Sequence, residues 1–294
     1  MTALSVAANV EAELCEFTAN VERLLTEFSS LYLARTSSPG LVFFNVNGNH
    51  AFEGLPLPGR QLQSKLLRER GHLYPLLDLL TRSLPVTDRK RVDEAKETFD
   101  RLIQQDGCTW SKNITETATA ARLARDNILE VLNSLYDPTP NDLLYVPDTN
   151  ALYANPQLET WRFDSSRPFT ILLIPTVLAD LDRHKVEHKN ESLREKASGL
   201  IRRIKGYKDR GKLIDGVPLS SGVSVIQSLA TEPTFAETLP WLDRNNDDDR
   251  IIAACFEIMH ARPRSAVLLV TADINLQNKA EFARLPFVEP PPAK

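Results

Sequence analysis

The hydrophobic period of this 294-residue chain changes near residue 140, and that change limits the folds open to it. Before that point, apolar residues recur at helical spacing. Val10, Leu14, Phe17, Val21, Leu24, Phe28 and Leu31 follow at alternating intervals of four and three, a helix seam that needs a partner surface. The expected partner is the other helices of the same domain, with self-association through a coiled coil as the alternative. Leu62, Leu66, Leu67, Leu73, Leu76, Leu77 and Leu80 predict a helix over 60–83, with Pro75 kinking or dividing it. Further helical patterns cover 87–105 and 114–135. Segment 37–59, SSPGLVFFNVNGNHAFEGLPLPG, is punctuated by Gly and Pro and reads either as a short hairpin or as a packed loop.

Asp137-Pro138-Thr139-Pro140 cannot continue a helix, so a boundary is expected there, with an all-α domain over 1–140 and a second domain over 141–294. Beyond it, LLYVP (143–147), FTILLIP (169–175) and SAVLLVT (265–271) are short, almost continuously apolar runs. Such runs suit strands buried on both faces of a parallel sheet. Helical segments separate them, over 176–184, 190–208 and 247–260. Strands alternating with helices predict a layered α/β domain with a central parallel sheet.

The formal charge of −4 provides no global positive field for nucleic acid or an anionic membrane, so any polyanionic partner must meet a local patch. Cys15, Cys108 and Cys255 lie far apart, without the spacing of a zinc site or the density of a disulfide scaffold. Glu11, Glu13 and Glu16 interrupt the N-terminal apolar stretch, and no run of apolar residues is long enough to cross a bilayer. The expectation is a soluble, cytoplasmic protein without a membrane partner.

In open α/β sheets, ligands bind outside the carboxyl ends of the strands. Here those ends are acidic. The first strand runs into Asp148, Thr149 and Asn150; the last reaches Thr271, Asp273 and Asn275. IPTVLADLDRHK carries Asp180 and Asp182 after the second strand, and NNDDDRIIAAC sets Asp247, Asp248 and Asp249 at a helix start. Each alone has an ordinary explanation as a turn or helix cap. Together they bring acids from four elements to one sheet edge, where like charges repel unless a cation balances them. All-oxygen sites of this kind suit Mg²⁺ or Mn²⁺.

Other chemistries lack their motifs. Neither GxGxxG nor GxxxxGK[ST] nor GxSxG occurs. His184 and His188 have the spacing of a zinc pair without the Glu of HExxH, and read better as basic residues beside a polyanion.

VPDTNAL, IPTVLADLDRHK, NNDDDRIIAAC and VTADINLQNKA, in this order, resemble the PIN-domain nucleases, particularly the PIN domains joined to PhoH-type ATPases. The resemblance covers about residues 141–290. It implies a three-layer α/β/α fold and a divalent-metal-dependent endoribonuclease acting on single-stranded or structured RNA. Asp148 and Asp273 match the family's first and last acids. Asp248 or Asp249 matches the third, the run of acids leaving the register open by one position. Asp180 stands where the family usually has Glu, one methylene longer. The implied ligands are Asp148, Asp248, Asp249 and Asp273, with Asp180 a ligand or the orienter of the attacking water. Thr149, Asn150, Thr271 and Asn275 match supporting polar positions.

A nucleic-acid substrate also needs positive surface. Arg183, Lys185, Lys189, Arg202, Arg203 and Lys205, with Arg194, Lys196, Lys208, Arg210 and Lys212, concentrate it directly after Asp180. The leading expectation is therefore an RNA-cleaving enzyme whose helical domain recognises a regulatory partner or dimerises. Its alternatives are a catalytically impaired PIN-like module that binds RNA, and a nuclease directed at DNA.

Overall fold

The structure is a computed structural model that describes residues 5–34, 50–109, 111–136, 140, 142–163, 167–219 and 224–293. The chain divides into two compact units, one of Val10–Ser134 and one joining the segment up to Asn9 with the chain from Leu135 onward.

The Val10–Ser134 unit is mainly helical. Helix α1 (Val6–Arg23) passes into a π turn over Leu24–Phe28, and its seam is buried, with Val10, Leu14, Val21 and Leu24 fully enclosed. Phe17 meets Phe99 edge-on at 5.4 Å. The helical pattern expected to reach Leu31 ends sooner. The Ser29 hydroxyl donates to the Leu24 carbonyl at 2.9 Å, and Ser29 itself is extended. A serine side chain that bonds the backbone in this way competes with the helix ladder. Leu31–Leu33 then forms strand β1, which pairs antiparallel with β2 (His50–Phe52). Of the segment expected as a hairpin or packed loop, residues 37–49 lie outside the described residues, and β2 lies in the part that is described.

Helix α2 (Leu57–Thr81) is continuous through Pro75. The proline removes one donor but does not divide the helix, because Leu73, Leu76, Leu77 and Leu80 on both sides of it are buried in the core. Helix α3 (Val86–Gln104), strand β3 (Cys108–Thr109) and helix α4 (Ile114–Leu135) complete the unit, β3 pairing antiparallel with β2. The small sheet adds to the all-α expectation; strands of two or three residues are too short to show a period.

The second unit is built on β4 (Asp142–Pro147), with Leu143 to Val146 all buried. The short helix α5 (Thr149–Ala154) follows, then β5 (Phe169–Leu173), α6 (Pro175–Glu187) and α7 (Glu191–Lys208). Strands β6 (Val217–Pro218) and β7 (Ser224–Ser228), helix α8 (Asp247–Ala261), strand β8 (Ser265–Val270), helix α9 (Ile274–Phe282) and strand β9 (Phe287–Val288) end the unit. The sheet order is β6-β7-β5-β4-β8-β9. All neighbours are parallel except β6 and β7. This is the layered α/β/α arrangement of the expectation. β4 has β5 on one side and β8 on the other, so the connections diverge at its carboxyl end and open a crevice there.

Among the described residues, no helix is long and apolar enough to cross a membrane.

Candidate active site

The crevice at the end of β4 is an open pocket of about 140 Å³ lined by Asp148, Thr149, Asn150, Thr176, Val177, Asp180, His184, Asp247, Asp248, Ile251 and Asp273. It gathers acids from four separate elements. Asp148 caps α5, Asp180 lies on α6, Asp247 and Asp248 lie in the first turn of α8, and Asp273 caps α9.

Asp148 is only 3% exposed, and each of its oxygens has one donor. Oδ1 accepts the Ala151 amide at 2.6 Å; Oδ2 accepts the Thr271 hydroxyl at 2.5 Å. Burial nevertheless pushes its carboxyl above the ordinary range, and the charges of Asp273 and Asp248 add to that rise against the two hydrogen bonds. Thr271 is fully buried and binds in both directions, donating to Asp148 while accepting the Asp273 amide at 3.0 Å. One hydroxyl thus sets two of the pocket's acids relative to each other. Asp273 uses Oδ1 to accept the Asn275 and Leu276 amides at 2.8 and 3.2 Å. Among the described residues, Oδ2 of Asp273 has no donor, and neither Asp148 nor Asp273 has an ion-pair partner.

The other acids have cations in place. The Nη2 of Arg183 contacts Asp180 and lies 2.9 Å from Asp247, whose other oxygen is 3.3 Å from Arg250. His184 joins the Asp180 side, with Nε2 3.4 Å from Oδ1 of Asp180 and Nδ1 2.9 Å from the Tyr153 hydroxyl. Burial, reinforced by the Asp180 charge, pushes the Tyr153 phenol up to about 12. A protonated Tyr153 can donate to Nδ1, which places the imidazole proton on Nε2 facing Asp180. The His188 ring packs edge-on against His184 at 5.0 Å.

The run Asp247 to Asp249 divides. Asp247 and Asp248 line the pocket, whereas Asp249 is buried outside its lining. The oxygens of Asp249 accept the Asp243 amide at 2.9 Å and Lys279 at 2.7 Å. Lys279 also reaches Asp248 at a longer 3.4 Å. Successive residues on a helix point about 100° apart, so three adjacent acids cannot share one direction. Of the expected supporting residues, Thr149 and Asn150 line the pocket, and the Asn275 backbone holds Asp273. Lys185, Lys189, Arg202, Arg203 and Lys205 are exposed on α6, α7 and the turn between them, Arg203 pairing with Glu159 at 3.2 Å. Arg183 is instead engaged with the pocket acids. Tyr153, His184 and Lys279 stand outside the expected site residues, and Asp247 stands among the expected sheet-edge acids but not among the implied ligands. The usable signal for the first two was their spacing, which puts Tyr153 one turn after Thr149 and His184 one turn after Asp180.

The donor set matches a hard divalent cation: its acids offer only oxygen, and burial, with the neighbouring charges of Asp273 and Asp248, disfavours ionisation of Asp148 unless a cation balances it. Among the described residues, no three His, Cys, Asp or Glu side chains stand close enough to share an ion as placed, so coordination requires carboxylates to turn inward.

Residues 145–289 match the family model described as PIN domain. No curated protein matches the chain.

Proposed function

Residues 145–289 belong to the PIN-domain family, whose members are generally nucleases, and from that premise we propose a divalent-metal-dependent endoribonuclease with its active site in the crevice at the end of β4. The observation that carries the reading is the arrangement around Asp148: a carboxylate raised in pKa by burial, with the charges of Asp273 and Asp248 adding to the rise, at the open edge of a parallel sheet. Asp148, Asp248 and Asp273 would hold Mg²⁺ or Mn²⁺. The ion would supply charge neutralisation at the scissile phosphate and a more acidic bound water. Thr271 joins the Asp148 carboxylate to the Asp273 amide at the start of α9, which keeps these two acids side by side. Asp180, held by Arg183 and His184, would orient the attacking water. Lys185, Lys189, Arg202 and Lys205 provide the positive surface that would hold the phosphate backbone.

The test is incubation of end-labelled single-stranded RNA and matched DNA with Mg²⁺, Mn²⁺ or EDTA, comparing wild type with Asp148→Asn. Metal-dependent cutting of RNA by wild type alone is expected. Preferential cutting of DNA would move the substrate class, and RNA binding without turnover at any metal concentration would replace the enzyme by a binding module.

A further inference from the structure

We propose that Arg183 is the resident second cation of the acidic pocket, so that the free protein takes up one divalent ion and not two. The inference deepens the nuclease reading and rests on it. A single guanidinium nitrogen of Arg183 bridges Asp180 on α6 and Asp247 on α8, the latter at 2.9 Å. These are pocket acids from two different elements. The Asp180 contact spans one helical turn, so the helix itself presets it, and Arg250 contacts the remaining oxygen of Asp247 at 3.3 Å.

The opposite side of the pocket is uncompensated. Among the described residues, Asp148 and Asp273 have no ion-pair partner, and Asp248 has only the 3.4 Å contact to Lys279. An incoming divalent ion is therefore drawn to Asp148, Asp248 and Asp273. A second ion beside Asp180 and Asp247 would have to displace a cation that cannot lose its proton and is held by two carboxylates. Arg183 remains half exposed on its outer face, with a side chain 52% accessible, so it can also meet a non-bridging phosphate oxygen of a bound strand. Its two roles would be to fill the second cation position and to offer substrate a fixed positive group there.

The experiment is Mn²⁺ binding to the full chain without nucleic acid, read as stoichiometry by calorimetry and by loss of the free-ion electron paramagnetic resonance signal. Wild type and Arg183→Lys are expected to bind one Mn²⁺ per chain. Arg183→Gln is expected to bind two, the added site being lost again in Arg183→Gln/Asp180→Asn, and Asp148→Asn should lose the first site. Two saturable sites in wild type overturn the inference without recourse to any variant, as does a folded Arg183→Gln that stays at one. Absence of saturable Mn²⁺ from every protein overturns the metal-dependent reading itself, and this inference with it.

Discussion

Replacing Thr271 by Val removes one hydroxyl with little change of volume and isolates the hydrogen bond that orients Asp148. Both partners are buried, at 0% and 3% exposed, and lie 2.5 Å apart. A hydrogen bond to a charged group contributes about 1.5–3 kcal/mol. The Asp273 amide loses its acceptor as well, and a neutral bond of that kind adds about 0.5–1.5 kcal/mol. The expected loss is about 2–4 kcal/mol at pH 8 in EDTA, or roughly 5–12 °C in melting temperature for a domain of this size. Thr271→Ser keeps the hydroxyl and should cost only about 0.8 kcal/mol for the buried methyl. The penalty of Thr271→Val also has a defined pH dependence. Thr271 holds the Asp148 pKa lower than burial alone would leave it, so its stabilisation is present while Asp148 is ionised. It is lost as pH falls through the raised pKa of that carboxyl. Chemical denaturation from pH 8 downward reads both quantities. Equal stability of the Val and Ser variants at pH 8, or a Val penalty that does not shrink on acidification, would refute the assignment.

Other perturbations have equally definite outcomes. Mn²⁺ should raise the melting temperature of wild type and leave Asp148→Asn unchanged, the gain reaching about 2.7 kcal/mol when the ion is at a hundredfold its Kd. Lys279→Met strips the cation from a carboxylate only 8% exposed and should cost about 2–3 kcal/mol by urea denaturation. That is less than for a fully buried pair because Lys279 itself reaches solvent. Adding Asp249→Asn should recover part of that loss, and strict additivity of the two changes would count against the pairing. Arg202→Ala and Lys205→Ala, in an Asp148→Asn background that cannot cut, should each reduce the salt slope of single-stranded RNA binding by about 0.7, provided each contacts a phosphate. An unchanged slope would remove α7 from the nucleic-acid surface.

The central strands were legible because β4, β5 and β8 are buried on both faces and so read as continuous apolar runs. Strand β7 was not. In SVIQS only Val225 and Ile226 are apolar, between Ser224 and Gln227, and Gln227 turns out to the Ile214 carbonyl, so no continuous run forms. Strands β6 and β9 have two residues each, too few for any period. The acids that end the strands were readable for a similar reason: Asp148 and Asp273 follow buried runs and cap the next helix, a role that leaves a local sequence mark. The run Asp247 to Asp249 carries no such mark. Three identical side chains differ only in helical phase, and the cation that holds Asp249 comes from Lys279, thirty residues further on. Arg183 illustrates the same limit. Its neighbours in the sequence place it in a basic surface, yet two carboxylates from α6 and α8 hold it against the pocket's acids.

The measurement that bears most directly on a metal-activated hydrolysis centred on Asp148 is the chemistry of the new ends formed when wild type and Asp148→Asn act on a defined single-stranded RNA with Mn²⁺. Attack by water predicts 5′-phosphate and 3′-hydroxyl ends from wild type, none in EDTA and none from Asp148→Asn. Cyclic-phosphate ends, or equal cutting by wild type in EDTA and by Asp148→Asn, would contradict the account.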